Sequence, residues 1–282
     1  MSKKAYPYVL IMPSVLFLLA FFVYPFLQVF AQAFTHSEGG LTIAHFETIF
    51  YDFNFLPSLK NTLLLALVVV PAQLCLAIGM ALMISKMEKG RDTVLYVWTI
   101  PLGISDLAAG IIWLGLLDQN GFINSFLFHV GIIDEAQSWL NYQNPWAIFA
   151  AIVFAEIWRA TAILLVILVS GIGLIPKEYY EAAEIFGANA WVRLWKVTLP
   201  LLRPSLQTAL ILRTLLAFEV FAVVMILGGS NMPVLMGEAY NWAFSYRDAG
   251  AAAAYAVVIL VLSLLFTLFY LRVLRVPKEA QI

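Results

Sequence analysis

Long uncharged apolar runs alternate with short polar stretches along the chain, and this alternation sets its elements before any motif is considered. One uncharged stretch begins at Ala5 and reaches Thr35, and it predicts a first helix over about 8–34. Further runs predict helices over 59–85, 93–117, 145–174, 206–227 and 249–274. Each supplies the ~20 residues that a helix needs to cross the hydrocarbon of a bilayer. Lipid offers no partner to exposed backbone groups, so such spans must be helices, and the ten-residue alternation of a membrane barrel is absent. The expected fold is an all-α membrane protein with six transmembrane helices in a single domain over 1–282. Ala31-Gln32-Ala33 mimics a signal-peptidase site. The run ahead of it exceeds the about 7–15 apolar residues of a secretory signal, so a retained span is expected.

Composition agrees. The chain is 63% hydrophobic and 12% charged, where a soluble domain averages about 45–50% and 25%. Its mean hydropathy is +0.90. A net charge of -1 with no basic run excludes a nucleic-acid binder. Cys75, the single cysteine, lies inside an apolar run, and His36, His45 and His129 have no metal-ligand spacing, so no metal site is expected. Orientation follows from Lys and Arg. Twelve of the 16 lie at the amino end (Lys3, Lys4), in the 86–92 loop, in the loop 176–203 and at the carboxyl end. The opposite face holds only Lys60 and Arg247, which predicts that both termini and the 176–203 loop face the cytoplasm.

Asp106, Glu156, Arg159, Arg213 and Glu219 fall within predicted spans. A charge at a helix centre costs about 2.5–3.5 kcal/mol on an insertion scale, so these residues should face a bundle interior or a wet cavity. Glu156 and Arg159 are three apart on one helix face and are expected to form a structural ion pair. For Asp106, Arg213 and Glu219 two readings stand: a polar translocation path, with Trp158 and Phe218 as aromatics along it, or charges that tie helices together. Arg213 and Glu219 are six apart and do not share a helix face.

Between the fourth and fifth spans, Lys177 to Phe186 has strong helical potential, with Lys177 and Glu181 at i,i+4 just past Pro176. Ala182 and Ala183 let another backbone approach closely. Gly187 permits a sharp turn. Ala190, Trp191, Leu194 and Thr198 then recur at helical spacing, and Leu199-Pro200 is expected to end the segment. A short helix-turn-helix on the membrane surface results.

Glu181-Ala182-Ala183, Gly187, Val197-Thr198-Leu199-Pro200 resembles the EAA motif of ABC importer membrane subunits, with Val197 in place of the usual Ile. Resemblance to the carbohydrate-uptake branch, relatives of the maltose and glycerol-phosphate permeases, extends further. It includes Tyr24-Pro25, Ser58-Leu59-Lys60-Asn61-Thr62, Pro101, Trp113, Asp118, Gly121, Asn124, Trp158-Arg159, Ile175-Pro176 and Phe244 through Gly250. The family's Thr-x-Gly-Gly-Pro stands here as Leu227-Gly228-Gly229-Ser230, with Pro233 displaced. The resemblance implies a type I importer permease in a prokaryotic cytoplasmic membrane that carries a sugar or polyol. Tyr180, Glu181, Ala182, Ala183, Gly187, Leu199 and Pro200 would couple it to an ATPase dimer. It further implies a second, homologous permease subunit, commonly forming a heterodimer, and an extracytoplasmic binding protein. No GxxxxGK[ST] loop exists here, so ATP and Mg would sit on the ATPase, and this chain would be neither an enzyme nor the holder of a cofactor. The alternative is an ion-coupled secondary transporter that uses the intramembrane carboxylates; it would typically show inverted repeats, and no internal repeat is visible.

Overall fold

A computed structural model of the chain describes residues 6–36 and 39–275, so the terminal charges Lys3, Lys4 and Lys278 lie outside the described residues. The described residues are helical and carry no strand; their one β-type pairing is an isolated bridge between Thr35 and Leu41. Four helices are long and apolar enough to cross a membrane alone: α1 (Leu10–Gln32), α3 (Phe55–Ser85), α7 (Pro145–Gly173) and α13 (Ala249–Val273). A fifth crossing exists if the bent pair over 91–129 counts as one. The chain divides into two compact units, residues 1–56 with 235–260, and residues 57–234 with 261–282.

In the first unit, α1 buries none of its apolar window within the chain. A π turn, Leu19–Val23, precedes Pro25 in it. The wider turn accommodates a ring that would clash with an ordinary helical carbonyl. Phe34 and Phe46, the latter on α2 (Ala44–Phe50), pack on Ala33, Ala253 and Val257. His45 lies so close to Gly250 that any Cβ there would overlap its ring. Asp52 accepts from Trp242 Nε1 and from the Tyr255 hydroxyl, each at 3.1 Å. Nearby on α12 (Leu235–Tyr240), Glu238 is buried, and its Oε2 has no partner among the described residues. Burial, and then the Asp52 charge, push its pKa above the usual carboxyl range.

The second unit is built on α3 and α7. The side chain of Asn144 caps α7 by accepting from Ala147 N, and Pro145 occupies the first turn, where a missing N–H costs nothing. The stretch 93–117 is not one helix. α4 (Arg91–Thr99) runs into a 3₁₀ turn, Ile100–Gly103, and α5 (Asp106–Leu117) leaves at 94°. Pro101 weakens the hydrogen-bond ladder, Ile104 is extended, and the Ser105 side chain caps the new helix by accepting from Ala108 N. The stretch 206–227 is likewise two helices, α10 (Arg203–Phe218) and α11 (Ala222–Leu227), parted at Glu219–Phe221. Beyond α5, α6 (Phe122–His129) closes a loop on buried Asn124. That side chain donates to the Asp118 and Gln137 carbonyls and accepts from Gln137 N and Trp139 Nε1.

Two glycines set helix spacing in this unit. A Cβ on Gly110 would lie 2.8 Å from Ile226 Cδ1 and 3.3 Å from the Val223 backbone, so α5 and α11 meet there without a side chain between them. A Cβ on Gly171 would overlap Ser205, so α7 and α10 approach just as closely. Two apolar clusters result. One joins Leu65, Val69, Ile152, Val223 and Leu227; the other joins Ala77, Ala81, Leu165, Leu168 and Leu206.

Candidate functional site

Between those clusters, in sequence order along α3, α7 and α10, stand Gln73, Glu156 and Arg213, all buried. Arg213 and Glu156 are each 1% exposed and pair at 2.7 Å. Arg213 Nε donates to Gln73 Oε1 at 2.5 Å, and Gln73 Nε2 donates to the Glu156 carbonyl at 2.7 Å. Each of the three side chains thus bonds to another helix, which is what a membrane interior demands of a charge. The expected Glu156–Arg159 pair is present, but at 3.4 Å it is the longer of the contacts that each residue makes. Arg159 pairs more closely, at 2.7 Å, with Asp106 in the first turn of α5. There the helix N-terminus also favours a carboxylate. The result is a chain of alternating charge, Asp106–Arg159–Glu156–Arg213, that joins α5, α7 and α10. Arg159 Nε is buried without a partner among the described residues.

The remaining residues named for a path fall in different surroundings. Trp158 is 36% exposed and meets Trp113 edge-on, with ring centroids 6.3 Å apart. Glu219 is exposed in the break between α10 and α11. Phe218 is buried against Phe266, with centroids at 5.2 Å. Gln73 had no place in the sequence reading, although an amide in the middle of an uncharged run was the signal that could have found it.

The loop 176–203 forms a compact element. α8 (Lys177–Ile185) ends in a left-handed turn at Gly187, φ +73°. Gly187 N donates to Glu184 O and Ala188 N to Ala183 O, both at 2.9 Å, which satisfies carbonyls that the helix end would orphan. The Asn189 side chain then caps α9 (Ala190–Arg193) by accepting from Val192 N. Arg193 pairs with Glu184 and fastens the two helices together. The segment does not stop at Leu199-Pro200. A π turn, Leu194–Thr198, widens the helix and carries it through Leu199–Leu201, since a five-residue repeat leaves room for the ring of Pro200. Glu181 and Ala182 are exposed on α8, Ala183 is half-buried, and Tyr180 reaches the Thr198 hydroxyl at 3.4 Å. At the turn Ile185 and Phe186 are 85% and 89% exposed.

A family model described as binding-protein-dependent transport system inner membrane component matches residues 73–275. The sulfoquinovosyl glycerol transport system permease protein SmoG of Agrobacterium fabrum is 32% identical, with 94% of this chain and 89% of that protein covered. The arabinooligosaccharides transport system permease protein AraP of Bacillus subtilis is 31% identical, covering 96% and 89%. The trehalose/maltose transport system permease protein MalF of Thermococcus litoralis is 29% identical, covering 96% and 94%. In fold, the chain resembles one from a crystal structure of a bacterial ABC transporter involved in the import of the acidic polysaccharide alginate. The TM-score is 0.83 at 23% identity, with 97% and 96% of the two chains covered.

Proposed function

The chain belongs to the binding-protein-dependent transport system inner membrane components, and from that premise we propose that it is the permease subunit of an ATP-driven importer of a sugar or related polyol. The carbohydrate reading is supported by relatives named for sulfoquinovosyl glycerol, arabinooligosaccharide and trehalose/maltose transport. Six spans with both termini cytoplasmic follow if the bent pair over 91–129 and the broken α10–α11 each cross once.

The observation that carries the mechanism is the preformed turn that leaves Ile185 and Phe186 open to water in a chain otherwise made for lipid. Two apolar side chains at the tip of a rigid helix-turn-helix are an anchor for a groove on a soluble partner. In this reading α8 is a coupling helix, with Tyr180, Glu181, Ala182, Ala183, Gly187, Leu199 and Pro200 forming or bracing its docking face. An ATPase dimer holds ATP and Mg and closes on nucleotide. That closure draws α8 with it, and the α8–α9 element passes the movement through Leu199–Leu201 to α10. The cargo crosses chemically unchanged. A second permease subunit and an extracytoplasmic binding protein complete the assembly. A related alginate transporter has been crystallised with its alginate pentasaccharide-bound periplasmic protein.

For the cargo we propose a path past Trp158, Asp106 and Glu219, the three named residues that keep exposed surface, with Arg213 and Phe218 bracing it from inside. Aromatic faces suit sugar rings, and the helix breaks beside Asp106 and Glu219 expose backbone groups that need such a polar route. The test is uptake into proteoliposomes. Transport is expected only with added ATPase subunits and ATP. Uptake by the lone chain, driven by an ion gradient, would instead point to a secondary carrier.

A further inference from the structure

The ends of α3 and α7, near Ser85 and Gly173, and the start of α4 at Arg91 enclose, with the α8–α9 element, a cavity of about 720 Å³. Its floor is apolar, made by Leu82, Ile172, Ile175 and Leu194. Its rim is cationic, carrying Lys86, Arg91, Lys177 and Arg193. The one carboxylate in the lining, Glu184, is already paired with Arg193. Lys86, Arg91 and Lys177 have no ion pair among the described residues. Trp191 stands at the edge, 66% exposed and in edge contact with Trp195, the placement that indole rings take at a membrane surface.

This combination specifies its occupant. A small soluble anion would be served by the cations but has no use for an apolar floor where two spans end. A phospholipid needs both surfaces at that depth. We propose that the cavity binds the headgroup phosphate of an anionic phospholipid, with Lys86, Arg91 and Lys177 around the phosphate and the first acyl carbons against Ile172, Ile175 and Leu82. Basic pockets between helix ends suit such headgroups, and each Lys or Arg near an anionic surface contributes about fivefold in affinity. A lipid held there bridges the α3–α4 turn to α8. The site needs only the membrane boundary that the ends of α3 and α7 define, so it stands apart from the transport reading.

The experiment takes the full chain with the subunits it retains, strips it of lipid in detergent, and titrates phosphatidylglycerol or phosphatidylcholine while native mass spectrometry counts bound lipid. Phosphatidylglycerol is expected to bind preferentially. Replacing Lys86→Gln and Arg91→Gln together should weaken it roughly twentyfold, leaving phosphatidylcholine unchanged. A photoreactive phosphatidylglycerol on the unaltered protein should crosslink to peptides containing Arg91 and Trp191, a readout independent of how the variant folds. Equal binding of the two lipids, or crosslinks confined to other surfaces, would overturn the proposal. Displacement of phosphatidylglycerol by inorganic phosphate at matched concentration would do the same and assign the cavity to a soluble anion.

Discussion

A buried arginine in a membrane interior is tolerable only while its partners stay in place, and Arg213 has both of its own on other helices, Glu156 on α7 and Gln73 on α3. Removing Arg213 would leave Glu156 with only its longer contact to Arg159; breaking a buried pair costs about 3–5 kcal/mol, and removing both members with volume kept is often near neutral. Arg213→Met should therefore lower the melting temperature of the detergent-solubilised protein sharply. Arg213→Met with Glu156→Gln should recover most of the loss. Equal melting of the single and double variants would show that the pair does not carry this stability. Glu238 behaves differently, because its raised pKa means that the folded chain holds a proton that the unfolded chain releases. Its contribution to stability is full below the ordinary carboxyl value of 4.5 and is lost as pH rises through the folded value. In Glu238→Gln that part of the pH dependence of melting should vanish.

Among the elements, the α8–α9 turn is the one whose geometry depends on a single position. Gly187 sits at φ +73°, which proline, fixed near −65°, cannot adopt, and its N–H donates to Glu184. Gly187→Pro should abolish uptake while the complex still assembles and hydrolyses ATP; Glu181→Lys should do the same by altering the docking face. Unchanged uptake in both variants would remove α8 from the coupling role. This element was largely legible beforehand, because its signals are local: Pro176 before the helix, a glycine after it, then apolar residues at helical spacing. Helices α7 and α13 likewise end within a residue of the stretches that hydropathy marked, 145–174 and 249–274. The break at 104–105 had its signals, Pro101, Gly103 and Ser105, but was passed over because the apolar run continues across it, and the break at 219–221 was not legible. Hydropathy averages across them, and Glu219-Val220-Phe221 contains neither glycine nor proline to mark a stop. Nor could the partners of Arg213 be read, because its contacts lie 57 and 140 residues away in the chain and depend on which helices pack.

At the scale of the whole molecule, α1 is exposed along its whole length and most of its side chains are large and apolar, and a surface of that kind needs lipid or another chain against it. Mild-detergent purification of the tagged protein from its native membrane should recover an ATPase and a second permease, identified by mass spectrometry. Recovery of this chain alone would argue against the proposed assembly. The charge chain across α5, α7 and α10 also constrains how the protein is made. Glu156 leaves the ribosome 57 residues ahead of Arg213, a delay of roughly 3–11 seconds at about 5–20 residues per second. During that interval α7 carries a carboxylate whose closest partner has not yet been synthesised. The nascent α7 must therefore wait beside the insertion channel, or keep Glu156 hydrated, until α10 arrives, so the order of synthesis sets the order in which this bundle can close.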